Sequence, residues 1–176
     1  DAEYNDIPLE TITEGTGVKN AFNKSGNEIF FAYSFYLMNA GTEPFDYGME
    51  MKLVAVTKGL DEVLRVMIIY DDDYEHPEVY AKSQPDGTTE DILVGEVSHG
   101  GNAVSLGKTI PFTEDYENDG ILFNKTFKDF YTGAHTKYTV IMWLDGWDAQ
   151  ETNDMLGGGL KLGLDFWIID DENSND

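Results

Sequence analysis

The stretch Ile29–Asn39, IFFAYSFYLMN, contains no charged residue. One alternating set of positions carries Ile29, Phe31, Tyr33, Phe35 and Leu37, and the other carries Phe30, Ala32, Ser34, Tyr36 and Met38. Successive side chains of a strand point to opposite faces of its sheet, so both faces of this strand are largely apolar. The stretch therefore predicts a central strand of a β-sheet.

Further runs of the chain show the same period of two. They are Met49–Thr57, Arg65–Tyr70, Tyr138–Asp145 and Leu160–Ile169, with weaker runs at Ile7–Thr13, Ile92–Val97 and Ile121–Phe127. In the run from Leu160, we expect the core-facing residues to be Leu160, Leu162, Leu164, Phe166 and Ile168. Turns rich in Gly, Pro, Asn and Asp separate the runs. The pattern predicts an all-β fold, an antiparallel β-sandwich or jelly roll.

Helix is a minor part of the prediction. Two short stretches could be helical, Leu60–Leu64 and Ala149–Leu156, the second because Asp148 can cap its start and Gly157 can end it. A length of 176 residues suits one domain, and no repeat or change in composition marks a second. We expect an extended N-terminal segment at 1–21, a sandwich domain at 22–170 and an acidic tail at 171–176.

The charge of the chain excludes several classes of partner. Eleven Lys and Arg stand against 34 Asp and Glu, a formal net charge of −23. Such a field repels phosphates and anionic lipids, so we expect no nucleic acid partner. The longest uncharged apolar run, Ile29–Ala40, is too short to span a membrane. The chain has no cysteine, which excludes thiol catalysis and thiolate metal sites.

The start of the chain, Asp1-Ala2-Glu3, is what removal of a signal peptide would leave, although a trimmed chain would begin the same way. Together with the acidic composition, it predicts an extracellular or cell-surface location. Two triplets, at Asn23 and Asn124, match the N-glycosylation sequon, a pattern that also arises often by chance.

The residues that usually carry catalysis show no catalytic spacing. His76, His99 and His135 lie in polar loops without a partner at metal-ligand spacing, and the sequence has no His-Glu-x-x-His motif. The serines are not part of a Gly-x-Ser-x-Gly motif. We therefore expect a protein that is not an enzyme and that has no catalytic residues.

The densest group of carboxylates is formed by Asp71, Asp72, Asp73, Glu75 and Glu78. Oxygen ligands on a loop are what calcium requires, so these five residues are a candidate calcium site, and calcium is the one cofactor that the sequence suggests. The spacing is not that of an EF-hand. On a protein this acidic, the alternative is a solvated loop.

Three tryptophans have two possible roles. Trp143, Trp147 and Trp167 could form a surface on which sugar rings stack, or they could pack in the core or between subunits. The sequence favours packing.

Four segments taken in order resemble exported proteins of the TasA/camelysin type. They are Phe31–Gly41, Leu64–Ile68, Tyr138–Asp148 and a glycine-rich turn leading into Leu160–Phe166. Proteins of that type are jelly-roll subunits of bacterial biofilm fibres, with related bundling pili in archaea. The resemblance covers about half of the chain and implies assembly by donor-strand complementation, in which an N-terminal segment completes the sheet of the next subunit. Camelysin-like proteins are associated with metalloprotease activity, but this chain has no zinc motif.

The segment Asp1–Ala21 suits the donor role that the resemblance implies. Its apolar residues Ile7, Leu9 and Ile12 could fill pockets beside a sheet edge, and Gly15-Thr16-Gly17 could act as a hinge. The alternative is that the segment pairs within its own sheet.

Two functions follow from these observations. The first is a secreted structural protein that assembles into extracellular fibres, with copies of itself, and also cell-wall or matrix components, as partners. The second is a calcium-dependent or carbohydrate-binding module on the cell surface.

Overall fold

A computed structural model describes residues 14–22, 28–73, 75–84, 86–89, 91–94, 104–145 and 157–169. These residues form eleven strands: β1 Gly17–Phe22, β2 Glu28–Met38, β3 Phe45–Val56, β4 Leu64–Tyr70, β5 Glu78–Ala81, β6 Asp91–Val94, β7 Val104–Lys108, β8 Ile110–Pro111, β9 Ile121–Phe130, β10 His135–Leu144 and β11 Leu160–Ile169. A 3₁₀ turn, Leu60–Glu62, and one short helix, α1 (Tyr116–Asp119), complete them. The prediction of an all-β protein is confirmed.

The strands form two main sheets and a hairpin. The order is β1-β2-β10-β4-β5-β8 in a six-stranded sheet and β11-β3-β9 in a three-stranded sheet, and β6 pairs with β7. Neighbouring strands are antiparallel, as predicted, except that β5 and β8 run parallel. The long connection through β6 and β7 allows this exception, because a parallel pair needs a crossover and not a tight turn.

The core lies between the six-stranded and three-stranded sheets, which makes the fold a sandwich. Its buried side chains come from both sheets and include Tyr47, Met49, Met51, Val66, Ile68, Tyr80, Phe123, Tyr138 and Val140. Aromatic rings meet across the gap, for example Phe166 with Phe35 and Tyr80 with Phe123. The jelly-roll form of the sandwich stays a prediction.

The predicted central strand is confirmed. β2 lies between β1 and β10, and its second face is buried at Phe30, Ala32 and Ser34, although Tyr36 and Met38 at the end of the strand are exposed. Buried side chains of that second face are Ala32, Ser34, Met67, Ile69, Thr139 and Ile141. The hydroxyl groups of Ser34 and Thr139 share a buried hydrogen bond of 2.8 Å, so the polar atoms on this face are satisfied.

Some of the local predictions differ from the structure. Ile168 is on the same side of β11 as Phe166, but it is 59% exposed and is not part of the core as expected. Among the described strands, β11 has a neighbour on one side only. The predicted helix Leu60–Leu64 is the shorter turn Leu60–Glu62, because β4 already begins at Leu64.

Several elements were not predicted at all, namely β1, β5, β7, β8 and α1. The predicted strand Ile7–Thr13, the predicted helix Ala149–Leu156 and the end of the predicted strand Ile92–Val97 lie outside the described residues. Within the described ranges, no helix has the length and apolar character needed to cross a bilayer.

Candidate functional site

The two sheets differ in width, and this difference leaves one side of the sandwich open. Phe166 of β11 contacts Phe35 of β2, whereas Phe123 of β9 contacts Tyr80 of β5. The three-stranded sheet therefore covers the part of the six-stranded sheet from β2 to β5. The core-facing side of β1 and the adjoining part of β2 lie beyond its edge strand, β11.

Apolar side chains are exposed on this uncovered part of the wider sheet. Tyr33 is 43% exposed, and Val18 of β1, which is paired directly with Tyr33 and shares its face, is 60% exposed. Exposed apolar neighbours on the inner side of a sandwich are unusual, because this is the side that normally forms the core. The exposed residues therefore mark a place where a further layer would fit.

An open apolar groove runs between β2 and β11. It consists of two adjoining openings of about 260 Å³ and about 210 Å³, and both are lined by Phe31, Met142 and Leu162. Leu160 borders the first opening, and Tyr33, Phe35 and Leu164 border the second. We call this feature the β2–β11 groove.

The strand that borders the groove has a free edge. In the described part of the chain, β11 pairs with β3 along one side and with no strand along the other. Leu160, Leu162 and Leu164, at every second position, line the groove. A strand added to the free edge would pair with the backbone of β11 and direct alternate side chains into the same groove. The groove thus has the form of a strand-accepting site.

The predicted donor residues Ile7, Leu9 and Ile12 lie outside the described residues. The end of the predicted 1–21 segment is described, and it belongs to β1, which pairs with β2 of the same chain from Gly17 onward. Gly15 and Gly17 both have positive φ, of 69° and 97°, so the chain turns just before β1, where a hinge was predicted. A segment that docks elsewhere would therefore end before Gly17.

The acidic residues of the predicted calcium site lie on the connection from β4 to β5. Asp71 and Asp72 adopt positive φ, and Lys137 contacts both of them. Its backbone N–H donates to Asp71 Oδ1 at 2.8 Å, and its Nζ donates to Asp72 Oδ1 at 2.7 Å. The side chain of Lys137 is almost fully buried. Two of the five carboxylates thus bond to a lysine that lies 66 and 65 residues away from them in the sequence.

The other three carboxylates point to different surroundings. Asp73 bonds to His76 Nδ1 at 3.0 Å at the exposed end of the turn, and Glu75 is exposed. Glu78 begins β5 and lies between the sheets. Among the described residues, no three acidic, histidine or cysteine side chains are placed to hold a metal ion together. Calcium at this turn stays a prediction.

Glu78 is the most strongly bonded carboxylate of the group. Tyr70 and Tyr80 donate their hydroxyl hydrogens to its Oε2 at 2.9 Å and 3.0 Å, and Lys125 of β9 donates to Oε1. Burial acts to raise the pKa of Glu78, but the hydrogen bonds and the charge of Lys125 outweigh it, and the pKa lies below its ordinary value. Glu78 therefore joins the two sheets as an ionised group.

A second acidic group of this kind lies at the 3₁₀ turn. Asp61 Oδ2 accepts hydrogen bonds from Tyr116 at 2.6 Å and from Lys82 at 3.0 Å, and Glu62 also binds Lys82. Burial acts to raise the pKa of Asp61, but these partners lower it overall. The arrangement connects the turn, the residue that follows β5 and α1. Its polar atoms bond to one another, which indicates a structural role.

The described histidines and tryptophans have different surroundings. His76 is exposed beside Asp73, His135 contacts the ring of Tyr36, and His99 lies outside the described residues. Trp143 is buried, as the packing interpretation predicted, and Trp147 lies outside the described residues. Trp167 is 40% exposed on the outer face of the three-stranded sheet, paired with Gly48.

The sequence did not predict the β2–β11 groove. The alternation in Leu160–Ile169 did indicate which residues of β11 face inward, but nothing local shows that the partner sheet is wider. A comparison of the chain with protein-family models and with curated proteins finds no match.

Proposed function

We propose that this chain is an exported structural subunit that assembles into extracellular fibres, each copy receiving an extended segment of another copy at its β2–β11 groove. The observation that carries the proposal is the free edge of β11 beside apolar side chains that the narrower sheet leaves uncovered. A sheet edge offers unpaired N–H and C=O groups, which an added strand can satisfy. Copies of the chain are the proposed partners, and cell-wall or matrix components are further ones.

The segment before Gly17 supplies a strand of suitable chemistry. Ile7 and Leu9 are two residues apart, as are Leu162 and Leu164 on β11, so both side chains of the segment can enter the groove together. Burial of each contributes on the order of 1.5–3 kcal/mol. Backbone hydrogen bonds add a net ~0.5–1.5 kcal/mol each. The burial of both side chains and several backbone hydrogen bonds together are sufficient to hold two subunits in contact when the contact is repeated along a fibre.

The geometry of such a contact favours a filament. The donated segment and the groove are different surfaces, so the contact is heterologous and does not close on itself. The net charge of −23 opposes association, and salt shortens the screening length from about 30 Å at 0.01 M to about 10 Å at 0.1 M. Assembly should therefore proceed better at 0.1 M salt and above.

Deletion of residues 1–13 tests the proposal. The deletion ends before β1, so the described sandwich is retained. We expect a folded protein that stays monomeric in sedimentation at 0.5 M salt, whereas the full chain forms filaments visible by electron microscopy. A synthetic peptide of residues 1–14 should bind the truncated protein but not the full chain within filaments. Filaments of unchanged form from the truncated protein would contradict the proposal.

The truncation also distinguishes two roles of the N-terminal segment, namely docking on another copy and pairing within its own sheet. If the segment completes its own domain, the truncated protein should melt at a clearly lower temperature and the full chain should stay monomeric at every concentration. A scrambled peptide with the same composition is the control for binding through bulk hydrophobicity.

A further inference from the structure

Trp167 occupies a special position on the outer face of the three-stranded sheet. It is paired with Gly48, and a Cβ atom on Gly48 would lie only 2.2 Å from Cε2 and Cζ2 of the indole ring. The ring therefore takes the space that a side chain at position 48 would fill. With one side of the ring against the backbone of β3 and 40% of the residue exposed, the other side is open to solvent.

Polar side chains border the ring along the strands. Two residues along each strand, Asp165, Glu50 and Asn124 form a row across the three strands. Asn124 Nδ2 donates to Glu50 Oε2 at 3.4 Å, and Lys52 Nζ lies 3.6 Å from Glu50 Oε1. This row places carboxylate oxygens and the amide group of Asn124 beside an aromatic surface.

The opposite border of the ring is also polar. Asp46, two residues before Gly48, accepts hydrogen bonds from Lys128 Nζ and, at 2.9 Å, from the backbone N–H of Asp129. Thr126 is paired with Gly48 on the side away from Trp167 and is exposed. The ring thus lies between the row that contains Asp165 and the group around Asp46. The hydroxyl group of Thr126 lies at a third side.

This face differs in charge from the chain as a whole. The chain has 34 carboxylates for 11 Lys and Arg, about three to one. On the outer positions of the three-stranded sheet, four carboxylates stand beside three lysines: Asp46, Glu50, Asp129 and Asp165 with Lys52, Lys128 and Lys161. The face therefore carries little net charge. Its charge neither favours nor opposes a neutral ligand, and it does not attract an anionic one.

From these features we infer that the Trp167 face binds a neutral glycan, with one pyranose ring stacked on the indole and its hydroxyl groups bonded to the rows of Asp165 and Asp46. A sugar ring is apolar on its face and polar at its rim, and the site has the same distribution. The apolar area is that of the indole ring together with the partly exposed Ile169, two residues further along β11, and it is small for a protein interface. The face lies on the outer side of the sheet, away from the β2–β11 groove, so both can act in one molecule.

Glycan binding to the full chain tests the inference. The probes are an array of neutral and anionic glycans, and electrophoresis through gels that contain a soluble β-glucan, a galactomannan or alginate. We expect binding to at least one neutral glycan and none to alginate. Trp167→Ala should weaken that binding at least tenfold, and Trp167→Tyr should retain part of it. Tyr131→Ala, which removes an aromatic residue that is 63% exposed elsewhere, is the matched control and should bind as the wild type does.

A second variant keeps the aromatic ring but displaces it. Gly48→Ala places a methyl group where the ring lies, so we expect a shift in tryptophan fluorescence together with weaker binding. Circular dichroism establishes that each variant is folded. Absence of binding to any neutral glycan, or equal binding by wild type and Trp167→Ala, overturns the inference. If the wild type binds no glycan, and Trp167→Ala removes contacts between neighbouring fibres, the Trp167 face is a protein interface and the inference is wrong.

Discussion

The hydroxyl groups of Tyr47 and Tyr138 form a hydrogen bond of 2.6 Å between the two sheets. Both residues are buried, and burial is the largest cause that raises the pKa of each hydroxyl, so both remain protonated. Thr136 also acts to lower the pKa of Tyr47, whereas the hydrogen-bonding neighbour that acts on the pKa of Tyr138 is Tyr47. The two hydroxyls therefore differ in what each loses when the other is removed.

This difference predicts unequal effects of two similar substitutions. Tyr47→Phe leaves the Tyr138 hydroxyl buried without that partner and should lower the free energy of unfolding by about 1–3 kcal/mol. Tyr138→Phe should cost less, because Thr136 remains as a polar neighbour of the Tyr47 hydroxyl. Urea denaturation of both variants and of the double variant measures the effects, and a double variant as costly as the sum of the two would contradict the account.

Gly120 and Gly133 offer a matched pair of glycines. Both have positive φ, 73° and 77°, but a Cβ on Gly120 would lie 2.6 Å from the carbonyl oxygen of Leu53, whereas one on Gly133 would meet nothing within 4 Å. Gly133→Ala should cost about 1–2 kcal/mol for the backbone conformation alone. Gly120→Ala should cost clearly more, since the backbone of β3 has to shift. Equal melting temperatures for the two variants would be inconsistent with this close approach.

Glu78 predicts how stability depends on pH. Its pKa in the folded protein lies below the ordinary value of 4.5, so its contribution is complete above that pH and is lost as the pH falls through the folded pKa. Glu78→Gln should lower the free energy of unfolding by about 1–3 kcal/mol at pH 7, because it leaves Lys125 without its charged partner. The difference from wild type should narrow as the pH falls below 4.5. A difference that stays constant from pH 7 to pH 3 would show that folding does not lower the pKa of Glu78.

Calcium at Asp71–Glu78 can be tested by thermal unfolding. A bound ion would compete with Lys137 and His76 for the carboxylates of the turn and would stabilise the folded state by an amount that grows with the logarithm of the calcium concentration above the dissociation constant. The predicted result is a higher melting temperature in millimolar calcium than in chelator, abolished by Asp73→Asn with Glu75→Gln. Magnesium at the same ionic strength is the control for screening. Superimposed melting curves would rule the site out.

The sequence predicted those parts of the fold that depend on local pattern. The alternation of Ile29–Asn39 and Leu160–Ile169 is long enough to identify β2 and β11. β5 has four residues and β8 has two, so neither contains a recognisable period, and both depend on pairing with distant strands. Contacts between strands fix their bounds, and a single sequence does not contain that information.

The candidate site shows the same limit. The acidic run at Asp71–Glu78 is obvious in the sequence, but its partners Lys137 and Lys125 lie 65 and 47 residues away and could not be assigned. The groove depends on the unequal width of two sheets, which is a property of strand order. The glycine opposite Trp167 is likewise visible only once the register of β3 and β11 is known.

The most direct test of the β2–β11 groove uses two tyrosines on opposite faces of one strand. Tyr33 and Tyr36 of β2 are 43% and 55% exposed, and only Tyr33 lines the groove. Each is replaced by glutamate in the full chain, and filaments are scored by electron microscopy and sedimentation at 0.5 M salt. We predict that Tyr33→Glu stays monomeric, because the incoming strand would have to bury a charge, and that Tyr36→Glu assembles like the wild type. Filaments formed equally by both variants would contradict the assignment of the groove as the accepting site.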